Sequence, residues 1–380
     1  TLHGVTTVVM GNCGVGFAPC KPDDRQKLIE LMEGVEDIPG AVMHEGLDWT
    51  WESFPQYLDA LEQKPHDADI CALLPHAAVR VNVMGDRAVA FEPATPEDIE
   101  KMRAIAKEAI EAGAFGVSTS RTTSHKTLAG EYTPTLRVYE DELLGLANGL
   151  KDAGSGFMEA VSDWITDTGD NMLNAEPDPV EAFGILKRVA QASGRPLVYT
   201  LAPRLNQAAV LSEILEMNRH AYEQEHVNIR PVFPPRAIGM LLGLQASQTP
   251  FSGCPSFKQL NDLLLADKVA RLRDPQTRRQ ILSEDPIKES TFPLVTRIAY
   301  ARMFLFKDKN YQPGEDESVA AIAAREGRPE PGVAYDLLTG NEGRNFLYVP
   351  ITNYSDYSLS ASEKLLGERM AIMGLGDGGA

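Results

Sequence analysis

The chain of 380 residues carries 54 acidic against 36 basic side chains, a formal net charge of −18 that repels nucleic acid and anionic lipid headgroups. Hydrophobic residues at 43% and charged residues at 24% give the balance of a folded globular protein rather than a disordered one. Four cysteines without a C-x-x-C pair argue against a disulfide scaffold or a paired-cysteine zinc site, and no apolar run approaches the roughly 20 residues that span a bilayer.

Strand and helix signals then alternate along the chain. Val5–Met10 (VTTVVM) is a β-branched run closed by Gly11, a strand by composition. Helices are expected near Asp24–Gly34 and Trp51–Gln63, and a second strand at Ala68–Leu74, stopped by Pro75. Thr95, Pro96 and Asp98 have capping-box spacing, and Ile99, Met102, Ala106 and Ile110 share one face of the helix that follows. Gly113 ends it before the strand Ala114–Thr119. Further helices are expected near Glu140–Ala153, Pro179–Ser193 and Gln207–His226, with strands at Gly156–Val161, Pro196–Leu201 and Val227–Phe233. From about Pro234 to Tyr348 the pattern is irregular, with short helical patches such as Val319–Arg325, and reads as an insertion at a barrel rim. A helix at Ala361–Gly367 and a strand at Met370–Gly374 follow.

Strands separated by crossover helices make a parallel sheet. About seven strands fit a (β/α)₈ TIM barrel that lacks its first strand. The whole of 1–380 is then one barrel domain, with an insertion at about 234–348, and both chain ends fall inside a folded unit. An open dinucleotide-binding sheet predicts G-x-G-x-x-G in the first turn, and Gly11-Asn12-Cys13-Gly14-Val15-Gly16 does not have that spacing.

A parallel barrel gathers its reactive groups at the carboxyl ends of its strands. Cys13, after the first strand, either presents sulfur to the barrel mouth or packs under the turn as a small buried residue. Asp377, among glycines after the last strand, is either a proton carrier or part of a plain Asp-Gly turn. The polar loop Ser120–Lys126 brings Arg121, suited to a substrate carboxylate, and His125, suited to a carbonyl or a metal. A solvated loop explains the same residues. His76, after the second strand, reads more readily as a hydrogen-bonded structural histidine.

The segment HGVTTVVMGNCG (His3–Gly14) resembles the N-acyl-D-amino-acid deacylase (D-aminoacylase) branch of the amidohydrolase superfamily. So do EAGAFGVST (Glu111–Thr119), WTWESFPQYLDAL (Trp49–Leu61) and GLGDGGA (Gly374–Ala380). The resemblance implies a TIM barrel beside a small β-domain missing here. It also implies a divalent metal, zinc by preference, in one or two ions. Cys13 matches the family's cysteine metal ligand and Asp377 its metal-linked catalytic aspartate. One departure stands out: the strands near Gly156–Val161 and Pro196–Leu201, where the family places metal-binding histidines, contain none. Glu159, Ser162, Asp163, Tyr199 and Thr200 occupy that neighbourhood, and Glu159 is a candidate substitute ligand.

The resulting expectation is hydrolysis of a C–N (amide) bond in a small-molecule substrate bearing a carboxylate. Metal-activated water attacks, Asp377 acts as base and then acid, Cys13 ligates metal, and Arg121 and His125 contact substrate. Reduced thiols suggest a cytoplasmic enzyme. The competing expectations are a barrel that has lost catalysis and binds a small molecule, and a Schiff-base lyase, for which only Lys126 is near a strand end.

Overall fold

The computed structural model describes residues 4–36, 38–136, 138–164, 178–202, 208–286 and 300–375. Its strands in chain order are β1 (Thr7–Met10), β2 (Asp69–Pro75), β3 (Gly116–Arg121), β4 (Met158–Ser162), β5 (Leu197–Thr200), β6 (Ile229–Phe233), β7 (Ile238–Gly243), β8 (Phe304–Leu305), β9 (Phe346–Thr352) and β10 (Ile372–Met373). Seven of them form one sheet in the order β1-β2-β3-β4-β5-β6-β10. Every pairing in it is parallel. Helices return the chain between successive strands, among them Pro96–Glu111, Glu140–Ala153, Pro179–Ser193 and Ala208–Glu223. The sheet is curled and open, with β1 and β10 as its edges. This α/β half-barrel is the expected incomplete TIM-barrel architecture.

Contacts divide the chain into two compact units, one of Thr1–Leu201, Ala209–Phe233 and Glu368–Ala380, the other of Ala202–Ala208 and Pro234–Gly367. The first holds the seven-stranded sheet. Its two faces are told apart by their partners. Thr119, Ala160 and Tyr199 alternate with their neighbours toward the helices. Thr119 Oγ1 lies 2.9 Å from His76 Nδ1, and the Tyr199 hydroxyl donates to Asn218 at 2.7 Å. Ser118, Glu159 and Val198 stand in register on adjacent strands, and Thr200 lies two residues beyond Val198. With a side-chain period of two, these four share the opposite face, away from the helices.

The second unit is built around the antiparallel sheet β7-β9-β8. Leu242, Phe251, Phe257, Leu272, Tyr335 and Val349 form its core. Expected irregularity here gives way to an ordered strand. The pattern was hidden because Gly239 sits where a β-carbon would come within 2.7 Å of the Val349 carbonyl. Gly243 similarly faces Phe346. Glycine serves the close approach of strands and breaks the alternation that reveals them.

In the first unit, a helix at His76–Met84 also went unforeseen. Nearly all its residues are buried, including Ala77, Ala78, Val79 and Val81, so it has no amphipathic stripe to detect. The helix expected from Trp51 starts at Phe54, where Ser53 and Gln56 close a capping box. The Thr95–Asp98 capping box forms as its spacing requires. Among the described residues no helix is long and apolar enough to cross a membrane.

Candidate active site

The turn after β1 is shaped by two glycines in the left-handed region, Gly11 (φ +100°) and Gly14 (φ +67°). Gly14 lies so close to β3 that a β-carbon on it would come within 2.8 Å of the Thr119 backbone. Its carbonyl accepts from Ala77 N at 3.0 Å. Cys13 is thereby held near the carboxyl end of β3, packed with Val15, Leu31, Ala77, Met32 and Val35. Burial, then the charge of Glu36, and more weakly that of Glu159, push the thiol well above its ordinary pKa.

The loop leaving β3 is tied down at several points. Asp163, just beyond β4, accepts from the hydroxyls of Thr122 and Thr123 and from Thr123 N, each at 2.7 Å. Arg121 donates to the Val138 carbonyl at 2.9 Å. Burial lowers the pKa of its guanidinium, against the opposing charge of Glu140. His125 Nδ1 lies 2.7 Å from the Ser120 hydroxyl. Arg121 and His125 thus gather at one strand end with the Cys13 turn nearby, and both have protein partners. Asp377 lies outside the described residues.

His76 is entirely buried, between Thr119 on one ring nitrogen and Glu142 on the other, the latter at 2.8 Å. Arg80 pairs with the second oxygen of Glu142 and also reaches the Glu92 carbonyl. This closed cluster is the structural role expected of His76. Its carboxylate, Glu142, went unremarked in the sequence because it lies in an acidic first helical turn, EDE, where solvent exposure is the usual outcome.

Glu159 is different. It is 6% exposed, on the face turned from the helices. Among the described residues it has no hydrogen-bond or ion-pair partner. Burial alone pushes its carboxyl up to about 8. On the same face, the Ser118 and Thr200 hydroxyls are buried without a partner among the described residues. The sequence signal was a lone acidic residue inside the apolar run FMEAV.

The divalent metal implied by the resemblance can be tested against these groups. Among the described residues no three His, Cys, Asp or Glu side chains gather closely enough to hold an ion. The described residues do not, by themselves, fit a resident metal.

A parallel α/β half-barrel with polar side chains beyond the carboxyl ends of its strands is a TIM-barrel arrangement. The sequence profile of the amidohydrolase family matches residues 1–326, and the chain belongs to that family. It is 32% identical over 161 residues to the D-aminoacylase of Alcaligenes xylosoxydans xylosoxydans, covering 42% of this chain and 28% of that protein. It is 31% identical over 149 residues to the N-acyl-D-aspartate deacylase of the same organism, covering 39% and 25%. A solved D-aminoacylase, described with a binuclear metal centre, superposes with a TM-score of 0.50 at 19% identity, covering 98% of this chain and 59% of that one. The chain therefore matches well under two thirds of the length of these relatives. It is a divergent relative of the D-aminoacylase branch.

Proposed function

We propose that the protein hydrolyses a C–N bond in an N-acylated amino acid, with D-amino acids as the class to examine first. The observation that carries this reading is the family match over residues 1–326, joined to the similarity with D-aminoacylase. Water adds to the acyl carbon, the C–N bond breaks, and the proton lost by water ends on the departing nitrogen. Asp377 is the group assigned to carry that proton, by its match to the family's aspartate. Arg121 and His125, at the carboxyl end of β3, are assigned to the substrate's carboxylate and carbonyl.

Zinc or another divalent ion belongs to this reading through the relatives. Among the described residues the donor set for such an ion is incomplete. Free thiols at all four cysteines support a reducing, cytoplasmic setting.

The test is release of free amine from N-acetyl-D-amino acids and their L enantiomers, with metal content measured alongside. Turnover of at least one D substrate, reduced about 100-fold or more in Asp377→Ala, is the expected result. Absence of amine release from every compound, or an undiminished variant, contradicts it. The missing imidazoles on β4 and β5 favour a second reading, a barrel that binds without catalysis. Saturable binding of the same compounds without turnover selects it.

A further inference from the structure

We propose that Asp163 is a positioning residue for substrate recognition: its carboxylate fixes the loop Arg121–His125 so that the Arg121 guanidinium meets the substrate's carboxylate. The inference rests on the assignment of Arg121 to that carboxylate, and adds to it the residue that sets where the guanidinium stands.

Arg121 is the last residue of β3, and it is half-buried. Among the described residues its guanidinium makes one hydrogen bond, to the Val138 carbonyl at 2.9 Å, and no ion pair. The rest of its N–H fork is left for an anion, and the burial that lowers its pKa is relieved by a counter-charge. A guanidinium reads a carboxylate through two parallel N–H···O bonds, so its usefulness depends on where the backbone holds it.

That backbone is held from β4. The register between the two strands runs to Arg121↔Ser162. Asp163 follows at once, 6% exposed, and its N–H donates to the Arg121 carbonyl at 3.2 Å. Its Oδ1 accepts from the Thr122 hydroxyl, and its Oδ2 from the N–H and hydroxyl of Thr123, each at 2.7 Å. The Thr122 hydroxyl oxygen in turn accepts from Ser124 N at 3.1 Å, next to His125. One buried carboxylate therefore fastens the run Arg121–Ser124 where the strand ladder stops. Hydrogen bonds to an ionised acceptor are the strong ones, which suits a carboxylate to this task.

The test compares the N-acetyl-D-amino acid that the wild type cleaves or binds best with its carboxamide, which lacks the negative charge at nearly the same size. The quantity read is the ratio of kcat/KM for the two compounds, or of their affinities where binding occurs without turnover. A loss of folded protein lowers both members equally, so a merely stabilising role for Asp163 leaves the ratio unmoved. The wild type is expected to prefer the carboxylate by about tenfold or more. Asp163→Ala should reduce that preference to about threefold or less, as a higher KM or weaker binding for the carboxylate alone. Thr122→Val with Thr123→Val removes both hydroxyls and leaves the carboxylate in place; it should lower the preference by about threefold and gives the decision if Asp163→Ala does not fold. A wild-type preference that survives unchanged in the folded variants overturns this inference alone and leaves the proposed function standing. A wild type that neither cleaves nor binds the pair, or that does not prefer the carboxylate, overturns the assignment of Arg121 and this inference with it.

Discussion

Glu142 and Glu159 lie almost equally deep in the first unit, at 2% and 6% exposure, yet their surroundings oppose each other. Burial works against ionisation of Glu142, but His76 and Arg80 outweigh it and hold its carboxyl below the usual range. Glu159 meets the same desolvation with no compensating partner and is pushed up to about 8. Depth alone therefore does not set the state of a buried acid. Partners do, and an acid deprived of them inside a folded protein marks a place kept for something else.

The two should also bend stability in opposite directions with pH. Glu159 has a folded pKa above its unfolded value near 4.5. Stability is full below that unfolded value and declines as pH rises to about 8. Ionising it costs about 5 kcal/mol at most, on 1.36 kcal/mol per unit. Glu159→Gln should remove this slope and make the protein more stable than wild type in urea melts at pH 9. An unchanged slope would place a hidden cation beside Glu159. Glu142 acts in reverse: its stabilisation is present above the ordinary carboxylate range and lost as pH falls through its lowered folded value.

Breaking the satisfied cluster is expected to be almost as large. Glu142→Gln leaves Arg80 buried without its counter-charge and should cost about 3–5 kcal/mol at pH 7, read as a lower urea midpoint. A loss below about 1 kcal/mol would mean the cluster is not the structural element described.

Much of this was readable in the sequence, for identifiable reasons. The parallel sheet followed from β-branched runs alternating with capped helices, and Thr95–Asp98 formed the box its spacing demands. The place of Cys13 followed from its position just after a strand. The Glu142 cluster could not be read, since Arg80, Glu142 and His76 meet only through packing of the helices His76–Met84 and Glu140–Ala153. The strand β7 was masked by Gly239 and Gly243, whose purpose is contact with β9. Glu159 was visible as an acid in an apolar run, but its isolation is a property of the assembled sheet.

Two smaller changes sharpen the contrast. Gly14→Ala puts a β-carbon against the Thr119 backbone at φ +67° and should cost about 2 kcal/mol, displacing Asn12 and Cys13. Hydrogen exchange that slows or stays constant at Gly11–Gly14 would count against that turn geometry. Thr95→Ala removes a helix cap that bonds to neither acid and should cost only about 1 kcal/mol, with the pH slope of wild type retained.

The most direct measurement is a carboxyl ¹³C NMR titration of wild type and Glu159→Gln. The account predicts one glutamate signal, absent from the variant, with a midpoint of about 8, while the Glu142 signal remains that of a carboxylate below the ordinary range. A Glu159 midpoint at the ordinary value of 4.5 would contradict it, because the carboxylate would then have a partner or solvent that the described structure denies it.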